Sequence, residues 1–88
     1  MSIEETIRNY IQQTFMFTDG PSDLQNDESF LNRGIIDSTG ILEVVLFLET
    51  EFGIKVEDRD LIPENLDSVD NLVRFVNAKQ AAAQGHSR

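Results

Sequence analysis

The sequence predicts an all-α fold, a small four-helix bundle of three long helices and one short one, and three observations lead there. Apolar residues recur at spacings of three, four and seven in three separate stretches. Each stretch opens on a Ser or Asp that can cap a helix. No alternating run is long enough to pair into a sheet, since Ile54 and Val56 alternate over only three residues. With 88 residues the chain falls below the size at which a fold splits into two cores, and it shows no internal repeat. Residues 1–80 are expected to form the domain and 81–88 a disordered tail.

The first helix begins at Ser2-Ile3-Glu4-Glu5, which has the S-x-x-E form of a capping box, and continues through Ile7, Tyr10, Ile11 and Phe15 on one face. Tyr10 is expected at the edge of the core. From Met16 to Ser29 the periodicity gives way to turn formers such as Thr18-Asp19-Gly20-Pro21-Ser22-Asp23. Long connections of this kind are often functional or packed under their own apolar residues, here Leu24, Phe30, Leu31, Ile35 and Ile36. Asp19-Gly20 lacks the alternating carboxylates and closing Glu of a calcium loop, and Glu57-Asp58-Arg59-Asp60 lacks the Gly, so no metal site is expected.

The second long helix, about Ser38 to Glu51, is the most apolar. Ile41, Val45, Leu48 and Phe52 form its expected core stripe, with Val44 alongside. Leu42, Leu46 and Phe47 exceed what one stripe requires, and Glu43, Glu49 and Glu51 carry the charge. Such a mixed face suits docking onto a basic, partly apolar partner, although complete burial in a small bundle would also account for it. Gly53 stands where a left-handed C-terminal cap is expected. An extended link through Ile54-Lys55-Val56 then leads to a short element around Asp58 to Ile62 that Pro63 closes. Asp67 or Ser68 caps the last helix, whose Val69, Leu72, Val73 and Val76 face inward with Phe75, and whose pattern ends near Lys79.

Sixteen acidic against seven basic residues give a formal charge of −9, which opposes binding to nucleic acid or anionic membrane and favours basic protein partners. The chain has no Cys. Disulfides, thiolate metal sites and cysteine nucleophiles are therefore excluded, and nothing requires an oxidising compartment. Met1 to Glu5 contain no basic region leading into an apolar run, and no stretch approaches the ~20 apolar residues of a membrane span. A cytoplasmic, monomeric protein is expected. The lone histidine, His86, lies in the tail with no base or nucleophile to serve. No phosphate loop of known spacing occurs, and the carboxylates fall on solvated faces, so the residues argue against an enzyme.

Gly34-Ile35-Ile36-Asp37-Ser38 marks the junction of a loop with the most apolar helix, at or beside its N-terminus. Unpaired N–H groups and the positive end of the helix dipole gather there, and an anion such as a phosphate on Ser38 would be stabilised. A Gly-x-x-Asp-Ser motif after a long loop, then an apolar and acidic helix ending Leu48-Glu49-x-Glu51-Phe52-Gly53, then a short and a closing helix, resembles the acyl carrier protein superfamily over about residues 3 to 79. In that family the serine of Asp-Ser receives 4′-phosphopantetheine from coenzyme A through a separate phosphopantetheinyl transferase. The arm's thiol then carries a cargo as a thioester.

The resemblance implies attachment at Ser38 with Asp37 beside it. It also implies a partner surface at Leu42, Glu43, Leu46 and Glu49 for basic patches on the transferase, a loading ligase and downstream enzymes. The commonest family pattern has Leu and then an acidic residue after the serine, where this chain has Thr39 and Gly40. That points away from the general carrier of fatty-acid synthesis and toward a dedicated carrier for an acyl, polyketide or aminoacyl intermediate. Gly40 would either be tolerated or leave room beside the arm. Phe30, Phe47, Phe52 and Phe75, if turned inward, leave little space for a long chain, so a short or polar cargo is expected. The opposing reading is an unmodified acidic helical interaction module.

Overall fold

A computed structural model describes residues 2–16 and 24–85, with side chains through 82. The connecting stretch 17–23, with Asp19-Gly20, and the tail residues 86–88, with His86, lie outside the described residues. Among the described residues five α-helices follow one another: α1 (Ile3–Phe15), α2 (Phe30–Arg33), α3 (Ser38–Phe52), α4 (Pro63–Leu66) and α5 (Val69–Gly85), with a 3₁₀ turn at Asp58–Asp60. No strand occurs among the described residues. Three long helices in a small bundle are what the periodicity predicts, with two short helices in place of one.

The capping box forms at α1: the Glu5 N–H donates to Ser2 Oγ at 3.1 Å, and the Ser2 N–H donates to Glu5 Oε1 at 3.2 Å. The core gathers Ile7 and Ile11 from α1, Phe30 from α2, Ile36, Val44 and Leu48 around α3, and Leu66, Val69, Leu72, Phe75 and Val76 from the closing segment. The buried line on α3 runs through Gly40, Val44 and Leu48, with Ile41, Val45 and Phe52 half-buried on its flanks. The inward face is thus centred on Val44 rather than on the stripe expected from Ile41 and Val45. The rotation follows from α1, which packs its aromatic residues along one side of α3. The Tyr10 ring stacks on Phe47 with centroids 3.8 Å apart, and its hydroxyl donates to the Glu43 carbonyl at 3.2 Å. Burial, and then the neighbouring Glu43 carboxylate, push the Tyr10 phenol above its ordinary pKa.

Three local outcomes differ from expectation, each for a physical reason. Phe30–Arg33 is helical instead of plain loop, because Ser29 Oγ caps it by accepting from the Asn32 N–H at 3.1 Å and Gly34 ends it in the left-handed region at φ 70°. Pro63 opens α4 instead of closing the preceding element, since its fixed φ suits a first helical position where no N–H is needed. Helix α5 runs past Lys79 to Gly85. Ala81 and Ala82 favour the helix and stay exposed, so apolar spacing gives no sign of the extension.

Candidate functional site

Asp37 and Ser38 share the N-terminus of α3 but divide its work. Asp37 is the N-cap, with its Oδ1 accepting the Gly40 N–H at 2.7 Å, and Ser38 is the first helical residue. The sequence leaves the cap open between the two, and the structure gives it to Asp37. Ser38 is exposed, and its hydroxyl is left out of the capping bond. A fifteen-residue helix directs its unpaired first-turn N–H groups and positive dipole end toward this spot, an environment that favours an anion attached to the hydroxyl.

Gly40 holds this geometry together from inside. A Cβ at this position would stand 3.0 Å from Ile36 Cγ2, 3.2 Å from Phe15 Cε1 and 3.3 Å from Asp37 Oδ1. Gly40 is buried, with no space for a Cβ, so it does not leave room beside an arm. It lets the end of α1 and the loop before α3 close directly onto the capping turn.

Ser38 opens onto an apolar groove of about 240 Å³. Leu31 of α2 forms one wall, Ile41 and Leu42 of α3 another, and Leu61, Ile62, Pro63 and Leu66 the third, with Asp67 at its edge. A flexible group attached at Ser38 could lie along it, so the residues present fit an arm with an apolar or weakly polar stem. The groove was not anticipated from the sequence. The signal that could have found it is Leu61-Ile62-Pro63, a large apolar pair with no periodic partner.

The expected partner residues separate into two kinds. Leu42 and Leu46 are 55% and 64% exposed, the most exposed large hydrophobics among the described residues, and Glu43 is exposed between them on α3. Glu49 is half-buried, and its Oε2 accepts the Val56 N–H at 2.9 Å. It therefore ties the link after α3 to the helix, whereas Leu42, Glu43 and Leu46 form one accessible strip next to Ser38. Among the described residues, no group of three or more His, Asp or Glu is arranged to hold a metal ion. None of the helices there is long and apolar enough to cross a membrane.

No family model matches the chain. It is 33% identical over 76 residues to the D-alanyl carrier protein of Streptococcus suis (strain 98HAH33), covering 86% of this chain and 92% of that one. It is also 33% identical over 82 residues to the D-alanyl carrier protein of Streptococcus pyogenes serotype M5 (strain Manfredo), covering 93% of this chain and all of the relative. A solved structure described as "Crystal structure of FAD-dependent dehydrogenase" superposes with a TM-score of 0.66, covering 80% of this chain and 97% of that chain, at 22% identity. That likeness concerns the fold alone.

Proposed function

This chain belongs to the acyl carrier protein superfamily, and we propose from that premise that it is an aminoacyl carrier, loaded through 4′-phosphopantetheine on Ser38. The observation that supports the reading best is the exposed hydroxyl at the first position of α3, freed because Asp37 has taken the cap. On attachment a phosphopantetheinyl transferase joins Ser38 Oγ to the phosphorus of the arm, and adenosine 3′,5′-bisphosphate leaves coenzyme A. The arm supplies the thiol that a chain without Cys lacks, and holds the cargo as a thioester. Everything else falls to the protein's own residues. Asp37 fixes the turn that presents Ser38, the free N–H groups of α3 favour the phosphodiester anion, and the apolar groove offers the stem a place to rest.

An aminoacyl cargo is supported by the names of the two streptococcal relatives and by the filled interior. Phe30 is fully buried, Phe75 nearly so, and Phe47 and Phe52 are half-buried. Leu42 and Leu46, with Glu43 and Asp37, serve as the docking strip for the transferase and for a loading ligase with a basic, partly apolar patch. The chain acts as a monomer in the cytoplasm. Charge reversal at Glu43 is expected to slow loading most at low salt, because exposed charges act on association rates over a Debye length of ~8 Å at physiological ionic strength.

The test is incubation with coenzyme A, magnesium and a promiscuous phosphopantetheinyl transferase. The mass of the wild type should rise by one phosphopantetheine, and Ser38→Ala should not change. Wild type that stays unmodified while a control carrier is modified would instead support an interaction module. Offering the holo form to an amino-acid-activating ligase with D-alanine, glycine or acetate then tests the cargo class.

A further inference from the structure

We propose that Asp67 is a cargo-length determinant: it latches α2 shut across the groove and so keeps the cargo at the surface instead of inside the bundle. The inference rests on the carrier reading above and names the kind of cargo the fold excludes, a long acyl chain. Helix α2 has four residues, too few to hold a helical shape unaided. Three consecutive residues at its start are tied to one partner. Ser29 Oγ donates to Asp67 Oδ2, the Leu31 N–H donates to Asp67 Oδ1 at 3.0 Å, and the Phe30 N–H donates to the Asp67 carbonyl at 2.8 Å. Two of the three end on the side-chain carboxylate, where a charged acceptor makes a stronger bond than a neutral one.

What the latch holds is the wall between groove and core. Leu31 lines the groove with Asp67, while Phe30, one residue earlier, is fully buried in the core. A long chain that enters past Leu31 and Phe30 has to displace this pair, and the pair is held while residues 29–31 stay bonded to Asp67. Asp67 is thus a positioning residue that acts through α2. Its effect should appear as selectivity for cargo length, which a residue that merely stabilises the fold would not alter.

The experiment transfers two-, eight- and fourteen-carbon acyl-phosphopantetheine from the matching acyl coenzyme A onto wild type, Asp67→Ala, Asp67→Asn and Ser29→Ala, and records the thermal midpoint of each. The wild-type midpoint should be flat with chain length, and that of Asp67→Ala should climb. Asp67→Asn, which keeps an acceptor for the Leu31 N–H, should return to a flat response. If both wild type and Asp67→Ala stay flat, or both climb alike, the latch is overturned. Should Asp67→Ala fail to fold, Ser29→Ala decides, with a shallower climb expected. Amide exchange at Leu31 in the unmodified protein is a separate readout and should quicken about tenfold when the carboxylate bond is lost. If Ser38 accepts no arm at all, the carrier reading fails, and unchanged exchange at Leu31 would then overturn the latch on its own.

Discussion

The same dipeptide, Asp-Ser, stands before two long helices, and the two copies do opposite things. At α3, Asp37 caps the helix and Ser38 is exposed at its first position. At α5, Ser68 caps by accepting the Asn71 N–H at 3.1 Å and is buried, 5% exposed, while Asp67 turns away to bind residues of α2. A shift of one position relative to the helix start exchanges the roles. A serine next to a helix N-terminus becomes available for chemistry when its neighbour takes the cap, and becomes structural when it caps the helix itself.

The largest expected effect tests what surrounds the first copy. Two residues beyond Ser38 lies buried Gly40, and two beyond Ser68 lies exposed Asp70. Gly40→Val should lose about 1–3 kcal/mol in urea unfolding, because its side chain would collide with Ile36 and Phe15. Asp70→Val should stay within about 0.5 kcal/mol. Equal losses at the two positions would break the contrast.

Cap removal comes next in size. Ser68→Ala should cost about 1–2 kcal/mol, since a buried cap is lost, whereas Ser38→Ala should change stability by less than about 0.5 kcal/mol. Asp37→Ala belongs with Ser68, not with Ser38, and should cost about 1 kcal/mol. It should also slow modification of Ser38, while Asp37→Asn, still able to cap, retains both.

The smallest effect lies away from both dipeptides and marks where acid should act. Lys79 Nζ stands 2.7 Å from Asp60 Oδ2, and the Glu57 N–H donates to the same oxygen at 3.0 Å. Bonding to Lys79 first, and the Glu57 N–H second, hold the Asp60 carboxyl below its ordinary value of 3.8. A lowered carboxyl pKa contributes stability in full above the unfolded value. That contribution disappears as pH falls through the folded one. Asp60→Asn should therefore be less stable than wild type by no more than about 1 kcal/mol at neutral pH. The gap should close on acidification below about pH 4. A gap that widens in acid would contradict the assignment.

Legibility in the sequence followed the range of the interactions. The capping box at Ser2, the left-handed cap at Gly53 and the inward faces of α1 and α5 are local patterns and could be read directly. The cap at α3 was legible only to within one residue, because Asp and Ser cap almost equally well and stand side by side at this junction. Helix α2 and the groove were not legible. Ser29, Leu31 and Asp67 meet across 36 to 38 residues of chain, and no spacing rule connects them. The exposed strip on α3 was legible in part: Leu42 and Leu46 exceed the needs of one stripe, but only folding shows that Phe47 is covered by Tyr10 and that Glu49 is engaged with Val56.

If register decides what each Asp-Ser does, Ser38 accepts an arm and Ser68 does not. Fragment mass spectrometry of the wild-type protein after reaction with coenzyme A, magnesium and transferase tests it most directly. A single phosphopantetheine is expected on the peptide containing Ser38 and none on the peptide containing Ser68. An adduct on Ser68, or on both serines, would contradict it.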